Sequence, residues 1–88
     1  MIEKTFTIID RDGIHARPAA ILVSTISKFK SDIRLEYREK QVNLKSITSL
    51  MTLGAGEGDQ IKVFAVGPDE EEAFQETEAV LKISSVVK

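Results

Sequence analysis

Polar and apolar residues alternate with period two over Thr5-Phe6-Thr7-Ile8, the mark of a half-buried strand. Asp10-Arg11-Asp12-Gly13 then breaks the pattern with turn chemistry. From His15 to about Phe29 the period changes, and Ala19, Leu22, Val23, Ile26 and Phe29 recur at helical spacing as one core-facing stripe. Pro18 fits that helix only in its first turn, where backbone N–H groups have no partner, so the pattern predicts a start near Ala16. A second strand spans Asp32–Tyr37, with Ile33, Leu35 and Tyr37 on one face and Asp32, Arg34 and Glu36 on the other. Val42 and Leu44 suggest a short third strand returning as a hairpin, although Arg38-Glu39-Lys40 lacks the Asn-Gly or Asp-Gly that favours a tight turn.

Ser46 precedes a short apolar segment, Ile47 to Leu53, closed by Gly54. That pattern predicts a two-turn helix with Ser as N-cap, worth about 1 kcal/mol, and Gly as C-cap. After the loop Gly56-Glu57-Gly58-Asp59, a fourth strand places Ile61, Val63 and Ala65 on one face and ends at Gly67-Pro68. The last helix opens at Asp69, with Glu72 three residues on as a capping-box partner and Glu70 and Glu71 favourable at its positive end. Its inner stripe is Ala73, Phe74, Thr77 and Leu81, with the hydroxyl of Thr77 a weak spot. The tail, Ile83-Ser84-Ser85-Val86-Val87-Lys88, is apolar without any period that explains it.

The order is β-α-β-β-α-β-α. Strands that each bury one face suit a two-layer α+β domain, an antiparallel sheet open to water on one side and covered by helices on the other. Right-handed crossovers in a split β-α-β arrangement pack it naturally. No repeat or linker divides residues 1–88, which are read as one domain.

Composition narrows the function. At 42% hydrophobic and 30% charged, the chain can fold, and disorder, collagen and coiled coil are excluded. Twelve basic against fourteen acidic residues give a net charge of −2, which argues against a nucleic-acid binder. The absence of Cys excludes a disulfide scaffold and thiolate zinc sites, and a lone His argues against a structural metal. No apolar run reaches the roughly 20 residues of a membrane span, and Met1-Ile2-Glu3-Lys4 has no signal-peptide character, so a cytoplasmic location is expected.

The one imidazole, His15, stands at the doorway of the first helix, two residues before Arg17. A lone His on a turn is ordinarily a surface residue. Gly13, His15, Arg17 and Pro18 together at a helix start argue for more. Orphan N–H groups and the positive end of the macrodipole make such a start an anion site, and the Arg17 fork matches phosphate oxygens. An imidazole there is a nucleophile beside a ready-made dianion cradle. The single His has no paired acid, base or metal constellation around it, so a stand-alone hydrolase is not indicated. Ala16, Ala20 and Ile21 on the first helix and Ile47 and Met51 on the short one are left over once the core is assigned. They are either scattered exposed residues or, if side by side next to His15, a docking patch.

Gly13-Ile14-His15-Ala16-Arg17-Pro18-Ala19 resembles the active-site stretch of HPr, the histidine-containing phosphocarrier of the bacterial sugar phosphotransferase system. Val42-Asn43-Leu44-Lys45-Ser46-Ile47 resembles the regulatory serine segment of its Gram-positive members, and Leu53-Gly54 and Gly58-Asp59 continue the match over essentially the whole chain. The resemblance implies a four-stranded antiparallel sheet in order 1-4-2-3 with three helices on one face. It implies that His15 accepts a phosphoryl group on Nδ1 from phosphorylated enzyme I and passes it to the enzyme IIA domains of sugar permeases. No resident cofactor or metal and no turnover reaction are implied. Arg17 would stabilise the transferring charge, Pro18 would fix the first turn, and N–H groups near Ala16 and Arg17 would receive phosphate oxygens. Ser46 would be the target of an HPr kinase/phosphorylase, and the product a corepressor for a catabolite-control transcription regulator. Ala16, Ala20, Ile21, Ile47, Thr48 and Met51 would dock partners, with the free chain a monomer.

A relative of the family that acts only as a regulator carries Gln in place of the His, so His15 favours the carrier over that alternative. Gram-positive members usually read Ser-Ile-Met-Gly-Val-Met where this chain has Ser46-Ile47-Thr48-Ser49-Leu50-Met51, so Thr48 replaces an apolar anchor. Asp12 stands where the family commonly has Ser or Asn.

Overall fold

Strand and helix follow one another as the periodicities require. The computed structural model describes residues 1–88. Its elements are β1 (Ile2–Thr7), α1 (Ala16–Ile26), β2 (Asp32–Tyr37), β3 (Lys40–Asn43), α2 (Ile47–Met51), β4 (Gln60–Val66) and α3 (Glu70–Ile83). The four strands form one antiparallel sheet in the order β1-β4-β2-β3. In its register Phe6 lies opposite Ile61, and Leu35 lies between Val42 and Val63. Alternation along each strand sends Phe6, Ile33, Leu35, Ile61, Val63 and Ala65 to one face, where Leu22, Ile26, Leu50, Phe74 and Leu81 from the helices bury them. The opposite face carries Thr5, Arg34, Glu36 and Lys62 and is laced by ion pairs such as Asp32–Arg34 at 2.8 Å.

The boundaries differ from expectation where side chains intervene. α1 stops at Ile26 rather than Phe29, because Ser27 caps it and the Phe29 N–H turns back to the Ile26 carbonyl at 3.1 Å. That turn still delivers the Phe29 ring to the core, and Lys45 Nζ collects the carbonyls of Phe29 and Ser31 at 2.5 and 3.0 Å. The hairpin is tight without glycine: Arg38 and Glu39 hold φ of 49° and 68°, the left-handed pair a two-residue turn demands. Leu44 falls outside β3 yet is fully buried, its N–H on the Ile33 carbonyl at 2.9 Å. Thr77 is no weak spot, since its hydroxyl donates to the Ala73 carbonyl at 2.8 Å.

The capping box at α3 does not form. Asp69 turns its carboxylate away from its own helix and accepts the N–H groups of Lys30 and Ser31 at 2.9 Å and the Ser31 hydroxyl at 2.5 Å. Glu70, not Glu72, reaches back to the loop, accepting the Gly67 N–H at 3.1 Å. The Ser31 hydroxyl, then the Lys30 N–H, holds the Asp69 carboxyl down at about 2, against an ordinary 3.8. A carboxylate depressed in the folded state contributes stability above its unfolded value and loses it as pH falls through the folded one. Denaturation midpoints should therefore be flat down to about pH 5 and fall steadily from there toward pH 2. Asp69→Asn should lower the midpoint near neutrality and make that acid limb shallower; a limb of unchanged steepness would assign the acid loss to other carboxylates.

Two residues of the apolar tail, Val86 and Val87, are core, whereas Ile83 is exposed. Ser85 adopts φ of 59° to end α3, the Val86 N–H donates to the Leu81 carbonyl at 3.0 Å, and Val86 and Val87 are almost wholly buried. The Ile9 N–H reaches the Val86 carbonyl at 2.8 Å and Ile8 bridges to Val87, so the tail closes over the exit from β1.

Candidate functional site

The segment between β1 and α1 is held from several sides. Gly13 closes a turn, its N–H on the Asp10 carbonyl at 3.0 Å, with φ of 66°. A Cβ at Gly13 would stand 2.3 Å from the Ala55 carbonyl oxygen, so the backbone there lies directly on the 55–56 segment. That segment is clasped in turn by Asp59, whose Oδ2 accepts the Gly56 N–H at 2.9 Å and the Tyr37 hydroxyl at 2.8 Å. The Gly56 N–H, then the Tyr37 hydroxyl, keeps the Asp59 carboxyl below the usual range, and the same bond pushes the Tyr37 hydroxyl up.

On this base His15 occupies the N-cap position in extended conformation, its carbonyl accepting the Ala19 N–H at 3.1 Å. Its side chain does not cap the helix. The N–H groups of Ala16 and Arg17 consequently donate to no protein group, Pro18 has none, and the first turn carries no acidic residue. The positive end of α1 is open. Arg17 is exposed and makes no ion pair or hydrogen bond.

The imidazole is held by Asp10. His15 Nε2 lies 3.1 Å from Asp10 Oδ2, and Asp10 Oδ1 accepts the Asp12 N–H at 2.8 Å. The Asp12 N–H, then His15, keeps the Asp10 carboxyl below the usual range, so it is an ionised acceptor. In the neutral ring the proton therefore sits on Nε2 and the lone pair on Nδ1. An open cleft of about 400 Å³ joins Asp10, His15, Arg17, Pro18 and Ile21 to Ile83 and Ser84. Asp10, Asp12 and His15 also offer ligand atoms within 4.8 Å of one another, but a cation would have to displace the Asp10–His15 contact.

The structure thus brings His15, Arg17 and Pro18 together and adds three residues that sequence reasoning passed over. Asp10 reads as turn chemistry in the sequence; its place five residues before His15 is the only local signal. Ile83 and Ser84 arrive from the far end of the chain, where nothing local announces them. Asp12 is exposed and enters through its backbone N–H.

Ser46 heads α2, half-buried, its hydroxyl accepting the Ser49 N–H at 3.2 Å as an N-cap. α1 and α2 pack on one another. Ala16, Ala20, Ile21, Ile47, Thr48 and Met51 are all exposed, and Ile21, Ile47 and Met51 each keep 43% of their surface in water.

A family model described as "PTS HPr component phosphorylation site" matches residues 2–82. Among solved structures, the chain is similar to a Mycoplasma histidine-containing phosphocarrier protein, with 34% identity over 99% of each chain and a TM-score of 0.95. It is similar to an HPr from Thermoanaerobacter tengcongensis, 45% identical over 93% of this chain and 92% of that one, with a TM-score of 0.85. It is also similar to Crh, a Bacillus subtilis catabolite-repression protein seen as a swapped dimer. There the identity is 35% over the whole of both chains, with a TM-score of 0.74.

Proposed function

Because the chain belongs to the HPr family of the phosphotransferase system, we propose that its carrier nucleophile is His15, which takes a phosphoryl group on Nδ1 from phosphorylated enzyme I and hands it to enzyme IIA domains of sugar permeases. One observation carries this reading: a single helix start combines the only imidazole, its lone pair on Nδ1, with two unclaimed N–H groups and an unpaired Arg17. The Ala16 and Arg17 N–H groups receive phosphate oxygens, Pro18 fixes the first turn, and the Arg17 fork meets the charge that develops in transfer. The protein is then a group carrier with a covalent intermediate, acting in the cytoplasm as a monomer, rather than a turnover enzyme. No helix is long and apolar enough to cross a membrane.

Ser46 is in this reading the target of an HPr kinase/phosphorylase. About two added charges at an N-cap are compatible with the helix, so the fold survives and the effect falls on partners. Those charges stand in the patch formed by Ile47, Thr48 and Met51 with Ala16, Ala20 and Ile21, which must lose water when enzyme I docks. A catabolite-control transcription regulator lined with Arg or Lys would instead bind more tightly. The likeness to Crh keeps a second reading in play, a paralogue acting chiefly as corepressor through phosphorylated Ser46.

One kinetic series separates the two. With enzyme I and phosphoenolpyruvate, labelling should be read by mass spectrometry for the unaltered protein, Arg17→Lys, Ser46→Asp and Thr48→Met. Expected are efficient labelling of the first, about tenfold slowing for Arg17→Lys through loss of the fork, a comparable slowing for Ser46→Asp, and acceleration for Thr48→Met. No labelling of the unaltered protein would leave the corepressor reading. Equal rates for Ser46→Asp, Thr48→Met and the unaltered protein would remove α2 from the docking surface.

A further inference from the structure

We propose that Asp10 is a positioning residue for His15: it holds the proton on Nε2, leaves the lone pair on Nδ1, and balances the positive charge the ring acquires when it takes a phosphoryl group. The inference rests on the carrier reading of His15.

The geometry divides the carboxylate into two jobs. Oδ2 takes the His15 ring at 3.1 Å, while Oδ1 takes the Asp12 N–H at 2.8 Å, so the group cannot swing away without breaking its own turn. The turn is closed independently by the Gly13 N–H. The Asp10 side chain keeps only 19% of its surface exposed, against 39% for His15. Arg17 lines the same cleft without pairing with Asp10, so the negative charge of Asp10 is spent on the ring and the positive charge of Arg17 remains for phosphate oxygens.

The transfer balances without moving a proton. The Nδ1 lone pair forms the N–P bond as the bond from phosphorus to the donor breaks, its electron pair departing with the donor. The ring keeps its Nε2–H and becomes a cation, which the Asp10 carboxylate faces at hydrogen-bond distance. On delivery the N–P electron pair returns to Nδ1 and the ring is neutral again with its proton still on Nε2. Without the carboxylate, either nitrogen is available to attack and the cation is unbalanced.

The test uses potassium phosphoramidate, which phosphorylates imidazoles without any protein partner. Phosphorus and nitrogen NMR report which ring nitrogen carries the phosphate in the unaltered protein, Asp10→Ala and Asp10→Asn, with amide spectra checking that each is folded. The unaltered protein should carry phosphate on Nδ1 alone. Asp10→Ala should give both isomers. Asp10→Asn keeps an acceptor for the Asp12 N–H, so its turn stays intact, but it turns an amide NH2 toward Nε2; that donor drives the ring proton to Nδ1, and phosphorylation on Nδ1 should slow about tenfold or more. Asp10→Ala matching the unaltered protein in both site and rate would overturn the proposal and leave the carrier reading standing, whereas phosphate on Nε2 of the unaltered protein would overturn both the proposal and the Nδ1 assignment of that reading. An unaltered protein that takes no phosphate on His15 from phosphoramidate or from enzyme I would remove the carrier reading and this proposal with it.

Discussion

Replacing His15 by Ala is expected to abolish acid-labile phosphorylation entirely while leaving the protein folded. The chain has no second imidazole and no Cys to take over the phosphoryl group, so loss of the ring removes the nucleophile outright. The structural cost is small for a specific reason. The helix does not depend on the His15 side chain for a cap, and its first hydrogen bond uses the backbone carbonyl, which Ala retains. The Asp10 contact that the variant loses is a solvent-accessible one, so stability should change little. Labelling by enzyme I and phosphoenolpyruvate, read by intact mass before and after acid treatment, checks the first half. A denaturant titration checks the second. An alanine variant that still acquires acid-labile phosphate would sink the assignment.

Gly13→Ala should be the most damaging single-methyl change in the site segment. Alanine at φ of 66° carries an intrinsic cost of about 1 kcal/mol. Its Cβ would also meet the Ala55 carbonyl oxygen at 2.3 Å, which is backbone and has no rotamer through which to withdraw. The 10–15 segment or the 55–56 segment must shift, for a total of about 3 kcal/mol. In a domain of this size that is roughly 10–20 °C in Tm. The labelling rate of the folded fraction should also fall, because the displaced segment carries Asp10 and His15. A thermal melt within a few degrees of the unaltered protein would show that the contact yields cheaply.

What was legible in the sequence follows from how local each determinant is. Alternation located all four strands, since a pleated surface enforces period two wherever one face is buried, and β2 matches Asp32–Tyr37 at both ends. The start of α1 was legible because Pro18 tolerates only the first turn. Its end was not, because the apolar stripe runs on to Phe29, which the turn after Ser27 still delivers to the core. The capping box at Asp69 failed for a related reason: the carboxylate had a better set of donors at Lys30 and Ser31, which no local pattern reveals. In the site, His15, Arg17 and Pro18 are consecutive enough to be read together, whereas Ile83 and Ser84 reach the cleft only through tertiary folding. The order of the sheet came from the family resemblance, not from periodicity.

The closure of β1 by the tail also ties the two ends of the chain together during folding. Ile8 and Ile9 are fixed by Val86 and Val87, which a ribosome adds almost a whole chain later. A nascent chain lacking those residues has already made His15 and Arg17, but the exit from β1 lacks the tail that closes over it. Contacts this distant in sequence are entropically the last to be repaid. The strand that leads into the His15 segment is thus closed only by residues from the far end of the chain.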